Sequence, residues 1–470
     1  MTNFLLSIGG EAVPATAYFP VIDPATGEAF ALAPDADEAH LDRAVAAARK
    51  AFASWRHLAP AIRAAAMGAF ADAIRDDAEP LAELLTREQG KPLSVARREV
   101  AFAADRIAGM AALDIGGGYL REGPLGPVRL DYVPMGVVGV IAPWNAPLIL
   151  AMQMVAQALA AGNAVVVKPS PFTPLSTLRL GELAARTLPP GLVNTLSGGN
   201  DLGQWMTNHP GIDKIAFVGS TATGKKVMAS ASASLKRVSL ELGGNDAAIV
   251  LDDVDVADIA PRLFASAFVN SGQICMAVKR VLVQAPIADA LAEALAAQAQ
   301  KARVGSGFEP DVDYGPVQNR PQFEKVLDII DDARAQGGTI LAGGHALNRP
   351  GYFIAPTIIT GLREGARLVD EEQFGPVLPV LSFDSDEEAV TRANATRFGL
   401  GASVWSGDRA RAEALAKQLE AGTVWINGHG GAAPDLPFGG FKESGIGRGM
   451  GLAGLRSYTE IRVTHGAGGG

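Results

Sequence analysis

Thirty-six consecutive residues, Tyr132 to Val167, contain no charged side chain. An apolar run of that length is long enough to cross a bilayer as a helix. Its punctuation forbids one. Pro134, Gly136, Gly139, Pro143, Asn145 and Pro147 break any helix across the first half. Gln153, Gln157 and Asn163 put amides into the second half. What remains is a strand over Gly136–Ile141, a rigid turn, a helix over Leu148–Ala161 and a strand over Ala164–Val167. Continuous apolar strands on either side of a helix are the pattern of a parallel βαβ unit. The run therefore predicts an α/β fold with no membrane span. Met1 to Glu11 has no basic region and too short an apolar run for a signal peptide, so a cytoplasmic protein is expected.

The alternation continues in both directions. Residues 35–115 place Ala and Leu at helical spacing, with helices expected over Ala36–Trp55 and Ala59–Glu88. Residues 116–134 mix Gly and Pro with short β-prone runs, as a hairpin or arm does. Strands are expected at Leu192–Leu196, Lys214–Val218 and Ala247–Leu251, with helices at 174–187, 200–207 and 222–234. A second alternating region puts strands at 279–284, 339–341, 377–382, 402–405 and 422–426 and helices at 286–302, 321–336, 385–395 and 408–419. Two such regions predict doubly wound α/β architecture. The tail after Arg462 is expected to fray.

Charge and rare residues exclude several function classes. With 41 Lys+Arg against 50 Asp+Glu, the net charge of −9 argues against nucleic acid as a partner. One cysteine, Cys275, excludes a disulfide framework and any multi-cysteine zinc site. No two of the six histidines lie within five residues of each other, so a helical HxxxH metal pair is absent and no metal is expected.

Four segments carry chemistry, each beside a plainer alternative. Phe217 to Lys226 follows an apolar strand and opens a helix, with Gly219, Gly224 and Lys225 close to a P-loop pattern. Lys226 stands where that pattern needs a Mg²⁺-binding hydroxyl, which counts against an NTPase. A pyrophosphate at a helix N-terminus and a merely tight turn both stay open. Phe268-Val-Asn-Ser-Gly-Gln-Ile-Cys275 leads small and polar residues into one thiol, which is a nucleophile or an inert buried side chain. Val238-Ser-Leu-Glu241-Leu-Gly-Gly-Asn245 sets a carboxylate in an apolar run. Desolvation would raise its pKa, as a general base needs, and a structural ion pair is the alternative. Ala142-Pro-Trp-Asn145-Ala-Pro147 presents one amide at a strand end, either for an oxyanion hole or to cap the next helix.

Together, and in this order, these segments resemble the aldehyde dehydrogenase superfamily over about residues 20–460. Val167-Lys168-Pro169-Ser170 looks like its cofactor lysine motif. Glu371-Glu372-Gln373-Phe374-Gly375-Pro376 looks like its Glu-Glu-x-Phe-Gly-Pro element, and Pro437 to Arg448 like its C-terminal signature. The resemblance implies a Rossmann-like NAD(P)-binding domain (1–115 and 135–243), an α/β catalytic domain (244–443) and an oligomerisation arm with a C-terminal segment (116–134 and 444–470). It implies Cys275 as nucleophile, Glu241 as general base and Asn145, with the Cys275 backbone N–H, as the oxyanion site. Lys168 would hold the adenosine ribose, Gly219 and Ser220 the pyrophosphate, and Glu372 the nicotinamide ribose with Phe374 beside it, while Ser170 and Trp144 are further cofactor-binding residues. The implied reaction oxidises an aldehyde to its acid through a thioester on cysteine, in a homodimer or homotetramer.

The chain departs from the family pattern at informative places. Pro171 replaces a Glu that holds ribose hydroxyls in many members, so NAD is expected with NADP tolerated. Gly449 follows Arg448 where many members have a Glu associated with proton relay. Ala146 replaces a common Phe, and Leu150 and Gln153 follow on the same helix, suggesting a wide entrance for a bulky or aromatic aldehyde. Residues 135–155, 264–278 and 425–436 are expected to line the pocket. A CoA-acylating aldehyde dehydrogenase is the main alternative, disfavoured by Glu241, and a catalytically silent protein on this fold is a second.

Overall fold

The computed structural model describes residues 4–431 and 433–466. Its first sheet has eight strands. Five run parallel in the order Arg237–Glu241, Lys214–Val218, Val137–Ile141, Ala164–Lys168 and Val193–Thr195. The chain enters at Val137–Ile141, winds outward to Val193–Thr195, then returns to lay Lys214–Val218 on the other side of its starting strand. That reversal creates a switch point where loops at the carboxyl ends of two strands diverge and leave a crevice. Antiparallel strands finish the edges: Gly445–Ile446 beside Arg237–Glu241, and the Leu6–Ile8 and Glu11–Val13 hairpin beside Val193–Thr195.

The central strands Val137–Ile141, Ala164–Lys168 and Lys214–Val218 are buried almost throughout. The Pro147–Ala160 helix covers one face, with Leu148, Ala151, Val155, Ala158 and Leu159 at or near zero exposure. The uncharged run is thus the centre of the larger core. No helix among the described residues is long and apolar enough to cross a membrane.

The second sheet has seven strands, in the order Thr339–Ala342, Thr357–Thr360, Val377–Phe383, Val278–Gln284, Asp246–Val250, Gly401–Trp405 and Thr423–Ile426. All neighbours are parallel except the first pair. A three-stranded antiparallel sheet joins Gly118–Gly123, Gly126–Pro134 and Thr459–His465, with Tyr119, Leu120, Leu125, Ile461 and Val463 at least half exposed.

Two expectations need correction. The helix expected over Ala59–Glu88 is two helices, Pro60–Asp76 and Ala78–Gln89. Asp77 leaves helical geometry between them (φ −96°, ψ 18°), and its carboxylate takes two hydrogen bonds from Arg179, at 2.7 and 2.8 Å. The tail does not fray at once after Arg462: Val463, Thr464 and His465 pair with Leu130, Arg129 and Val128. Residues 467–470 of that tail lie outside the described residues.

Candidate active site

The carboxyl ends of the first sheet face the amino ends of the second. After Ile141 comes the Pro143-Trp144-Asn145 turn, and after Val218 come Gly219 and Ser220. From the other side, Cys275 precedes the Val278 strand and Glu372 and Phe374 precede the Val377 strand. These residues, with Leu242, Gly243, Gln322 and Lys325, line a cavity of about 160 Å³.

The cysteine sits at the end of a forced backbone. Asn270, Ser271 and Gly272 all have left-handed φ, at 52°, 57° and 74°. Such a run costs free energy unless its surroundings hold it. Ser271 Oγ donates to the Gly315 carbonyl at 2.8 Å, and a Cβ on Gly272 would lie 2.3 Å from the Gly375 carbonyl oxygen. Gly243 and Gly244 permit similar closeness: a Cβ on the first would lie 2.5 Å from Glu372, and on the second 2.7 Å from the Cys275 carbonyl oxygen. Burial pushes the Cys275 thiol up to about 12; the Lys279 ammonium pulls it down, while Glu241, Glu372 and Asp246 raise it further.

Asn145 is buried and does not cap the following helix. Its Nδ2 donates to the Gln273 carbonyl at 2.8 Å, while the Leu148 and Ile149 N–H groups donate to Glu99. The Asn145 carbonyl accepts from Lys91 at 3.0 Å and from Asn270 Nδ2 at 2.9 Å. Lys91 and Glu99 form a buried ion pair. Removing one partner of such a pair typically costs ~3–5 kcal/mol, so the turn is held firmly. No pattern in the sequence marked Lys91, Glu99 or Asn270 for this task, because they converge only in three dimensions.

Glu241 ends its strand with the carboxylate over Gly449: a Cβ there would lie 2.2 Å from Oε1. Gln153 Nε2 donates to the same oxygen at 3.3 Å. Gln153 is therefore packed against Glu241 and is not an entrance residue; it is only 4% exposed. Burial raises the Glu241 carboxyl to about 7, with Arg106 and Gln153 opposing the rise. Glu241 borders a small cavity that shares Val218 with the Cys275 cavity.

Ser220 caps the Thr221–Ser232 helix, its Oγ accepting from Thr223 N–H at 3.2 Å. Gly219 is needed sterically, since a Cβ would lie 2.5 Å from the Phe217 ring. Lys225 is exposed, pairs with Glu443 at 2.8 Å and is not among the residues that line the cavity. Lys168 is buried, and burial lowers its ammonium to about 8 against the pull of Asp35. Ser170, next but one in sequence, is buried too. Glu372 accepts from the Gly244 N–H at 3.0 Å, and Trp144 meets Phe374 edge-on at 5.3 Å. Among the described residues no three His, Cys, Asp or Glu side chains gather as a metal site would require.

A thiol, an amide and a carboxylate at the mouth of a doubly wound sheet suit covalent chemistry on a carbonyl. Residues 12–464 match the model of the aldehyde dehydrogenase family. The chain belongs to that family. Its aldehyde dehydrogenase fold superimposes on the NAD⁺ complex of aldehyde dehydrogenase from Bacillus cereus with a TM-score of 0.96, at 37% identity, covering 98% of this chain and 96% of that one. An NAD⁺ complex of betaine aldehyde dehydrogenase from Staphylococcus aureus gives a TM-score of 0.95 at 34% identity, over 98% and 94% of the two chains. The DhaS protein of Bacillus subtilis (strain 168) is 38% identical over 97% of this chain and 94% of its own.

Proposed function

We propose that this aldehyde dehydrogenase oxidises an aldehyde to the carboxylic acid with NAD, through a thioester on Cys275 that water hydrolyses. The observation that carries the proposal is the shared cavity, in which Cys275, Asn145 and Glu372 face one space. The Cys275 sulfur bonds to the aldehyde carbon, and the carbonyl oxygen becomes an alkoxide. The Asn145 amide has two N–H groups and Gln273 occupies one, leaving the other for that oxygen beside the Cys275 backbone N–H. Glu241, held at about 7 by burial, is the nearby carboxylate matched to activating water. The thiol proton leaves to solvent as the sulfur attacks, and Glu241 later takes the proton of the water that attacks the thioester.

The residues fit a dinucleotide. The Thr221–Ser232 helix N-terminus offers free N–H groups for a pyrophosphate behind Gly219 and Ser220. Lys168 with Ser170, and Glu372, would hold the two riboses, with Trp144 and Phe374 beside the nicotinamide. When bound, the nicotinamide supplies the hydride acceptor. Residues 1–115 and 135–243 are assigned as the cofactor domain and 244–443 as the catalytic domain. Glu241 favours water over CoA as the acyl acceptor.

Ala146 and the half-buried Leu150 favour a bulky or aromatic aldehyde. Pro171 leaves room for the NADP phosphate while NAD remains preferred. An aldehyde panel read by NAD(P)H absorbance tests all of this. Benzaldehyde-type substrates should exceed short aliphatic ones in kcat/KM by about tenfold or more. A preference for NADP of about a hundredfold would overturn NAD as the coenzyme, and no turnover with either would overturn the activity.

The exposed apolar strip on the three-stranded sheet supports a homodimer or homotetramer. Light scattering should give two or four times the 48.6 kDa chain mass, and a single chain mass would remove the assembly. A reactive lone thiol suits the reducing cytoplasm.

A further inference from the structure

Lys279 lies four residues beyond the nucleophile and is 1% exposed. Its ammonium donates to the Ile274 carbonyl at 2.8 Å, to the Cys275 carbonyl at 2.7 Å and, more weakly, to Ala277 at 3.4 Å. These are the peptides on both sides of Cys275. A trans peptide points its carbonyl and its N–H in opposite directions, and no cis peptide occurs among the described residues. Holding the Ile274 carbonyl therefore aims the Cys275 N–H away from Lys279.

The same lysine is tied to the Glu372–Phe374 segment. Glu372 Oε1 lies 3.9 Å from Nζ, Gln373 Nε2 donates to the Lys279 carbonyl at 3.0 Å, and the Phe374 ring centroid is 5.9 Å from Nζ. A buried ammonium is costly without a close partner, and one carboxylate at 3.9 Å is a loose one. The two shortest contacts go to the peptides on either side of the nucleophile.

We propose that Lys279 is a positioning residue for the oxyanion site, holding both peptides of Cys275 and setting a fixed positive charge that favours the sulfur anion. The proposal rests on Cys275 being the nucleophile. The charged groups acting on the thiol are Lys279, which favours the thiolate, and Glu241, Glu372 and Asp246, which oppose it. Lys325 lines the same cavity, and His429 hydrogen-bonds the neighbouring Met276 carbonyl at 2.9 Å.

Cys275 is the only cysteine, so iodoacetamide alkylation reads this sulfur alone. In Lys279→Met the profile of alkylation rate against pH should move up by about one unit or more, slowing labelling about tenfold at a fixed pH on the rising limb. Lys279→Arg keeps the charge and should keep the wild-type profile. Lys279→Gln keeps a donor without the charge and should shift as the Met variant does. Superimposable profiles for wild type and a folded Met variant would overturn the proposal. If the Met variant does not fold, the Gln and Arg variants decide the matter, and equal profiles for them overturn it. Full aldehyde oxidation after complete alkylation of the wild type would overturn the nucleophile assignment itself, and this proposal with it.

Discussion

Cys275→Ala is expected to lower kcat for aldehyde oxidation by roughly ten-thousand- to million-fold, as loss of a covalent nucleophile does. No second thiol exists to take over, and the cavity it borders offers the aldehyde carbon no other soft nucleophile. The fold should survive. Cys275 packs at the edge of a small cluster of Leu400, Phe438 and Met450, and losing one sulfur atom there costs roughly 1 kcal/mol. The variant should therefore melt cooperatively near the wild-type temperature while forming no measurable NADH. Turnover within about tenfold of wild type would eliminate covalent catalysis at this residue.

Glu241→Gln should separate the two halves of the reaction. Acylation leaves the enzyme as a thioester, and without a base to activate water the steady-state rate should fall by roughly a hundred- to ten-thousand-fold. A rapid-mixing experiment should still show a burst approaching one NADH per subunit. The pH dependence has a definite sign. A base must be ionised to act, and burial holds Glu241 at about 7. Wild-type turnover should therefore rise through neutrality and level off above it, and the Gln variant should lack that limb. An unchanged limb in the variant would assign it to another group, and an unchanged kcat would remove Glu241 from the mechanism.

Much of this site was legible because its parts announce themselves locally. The apolar strands at Val137–Ile141, Ala164–Lys168 and Lys214–Val218 end close to where the uncharged run and the turn residues placed them. Asn145 and Ser220 follow such strand ends, and Cys275 follows a polar approach. Elements with weak local signals were not legible. The Val256–Phe268 helix holds Pro261 within it, and Thr357–Thr360 is four residues long. The Leu6–Ile8 and Glu11–Val13 strands are three residues each and gain their place only from the sheet edge they complete. The helix breaks at Asp77 because Pro80 has no N–H for the Asp76 carbonyl, a local stop the alanine-rich spacing masked, and the Asp77 carboxylate then pairs with distant Arg179. Lys91, Glu99 and Arg106 are spaced along one N-terminal stretch and look like surface charges of an amphipathic helix. Their burial against Asn145 and Glu241 is a tertiary fact.

On its outer side the strand that presents Glu241 is bordered by only two residues, Gly445 and Ile446, which pair with it from about 200 positions further along the chain. During synthesis at about 5–20 residues per second, that border stays open for roughly 10–40 s. Throughout that interval the parallel sheet ends in an unpaired edge beside the proposed catalytic base. A chain released before Gly445 would carry every side chain proposed for catalysis without closing the sheet that holds one of them.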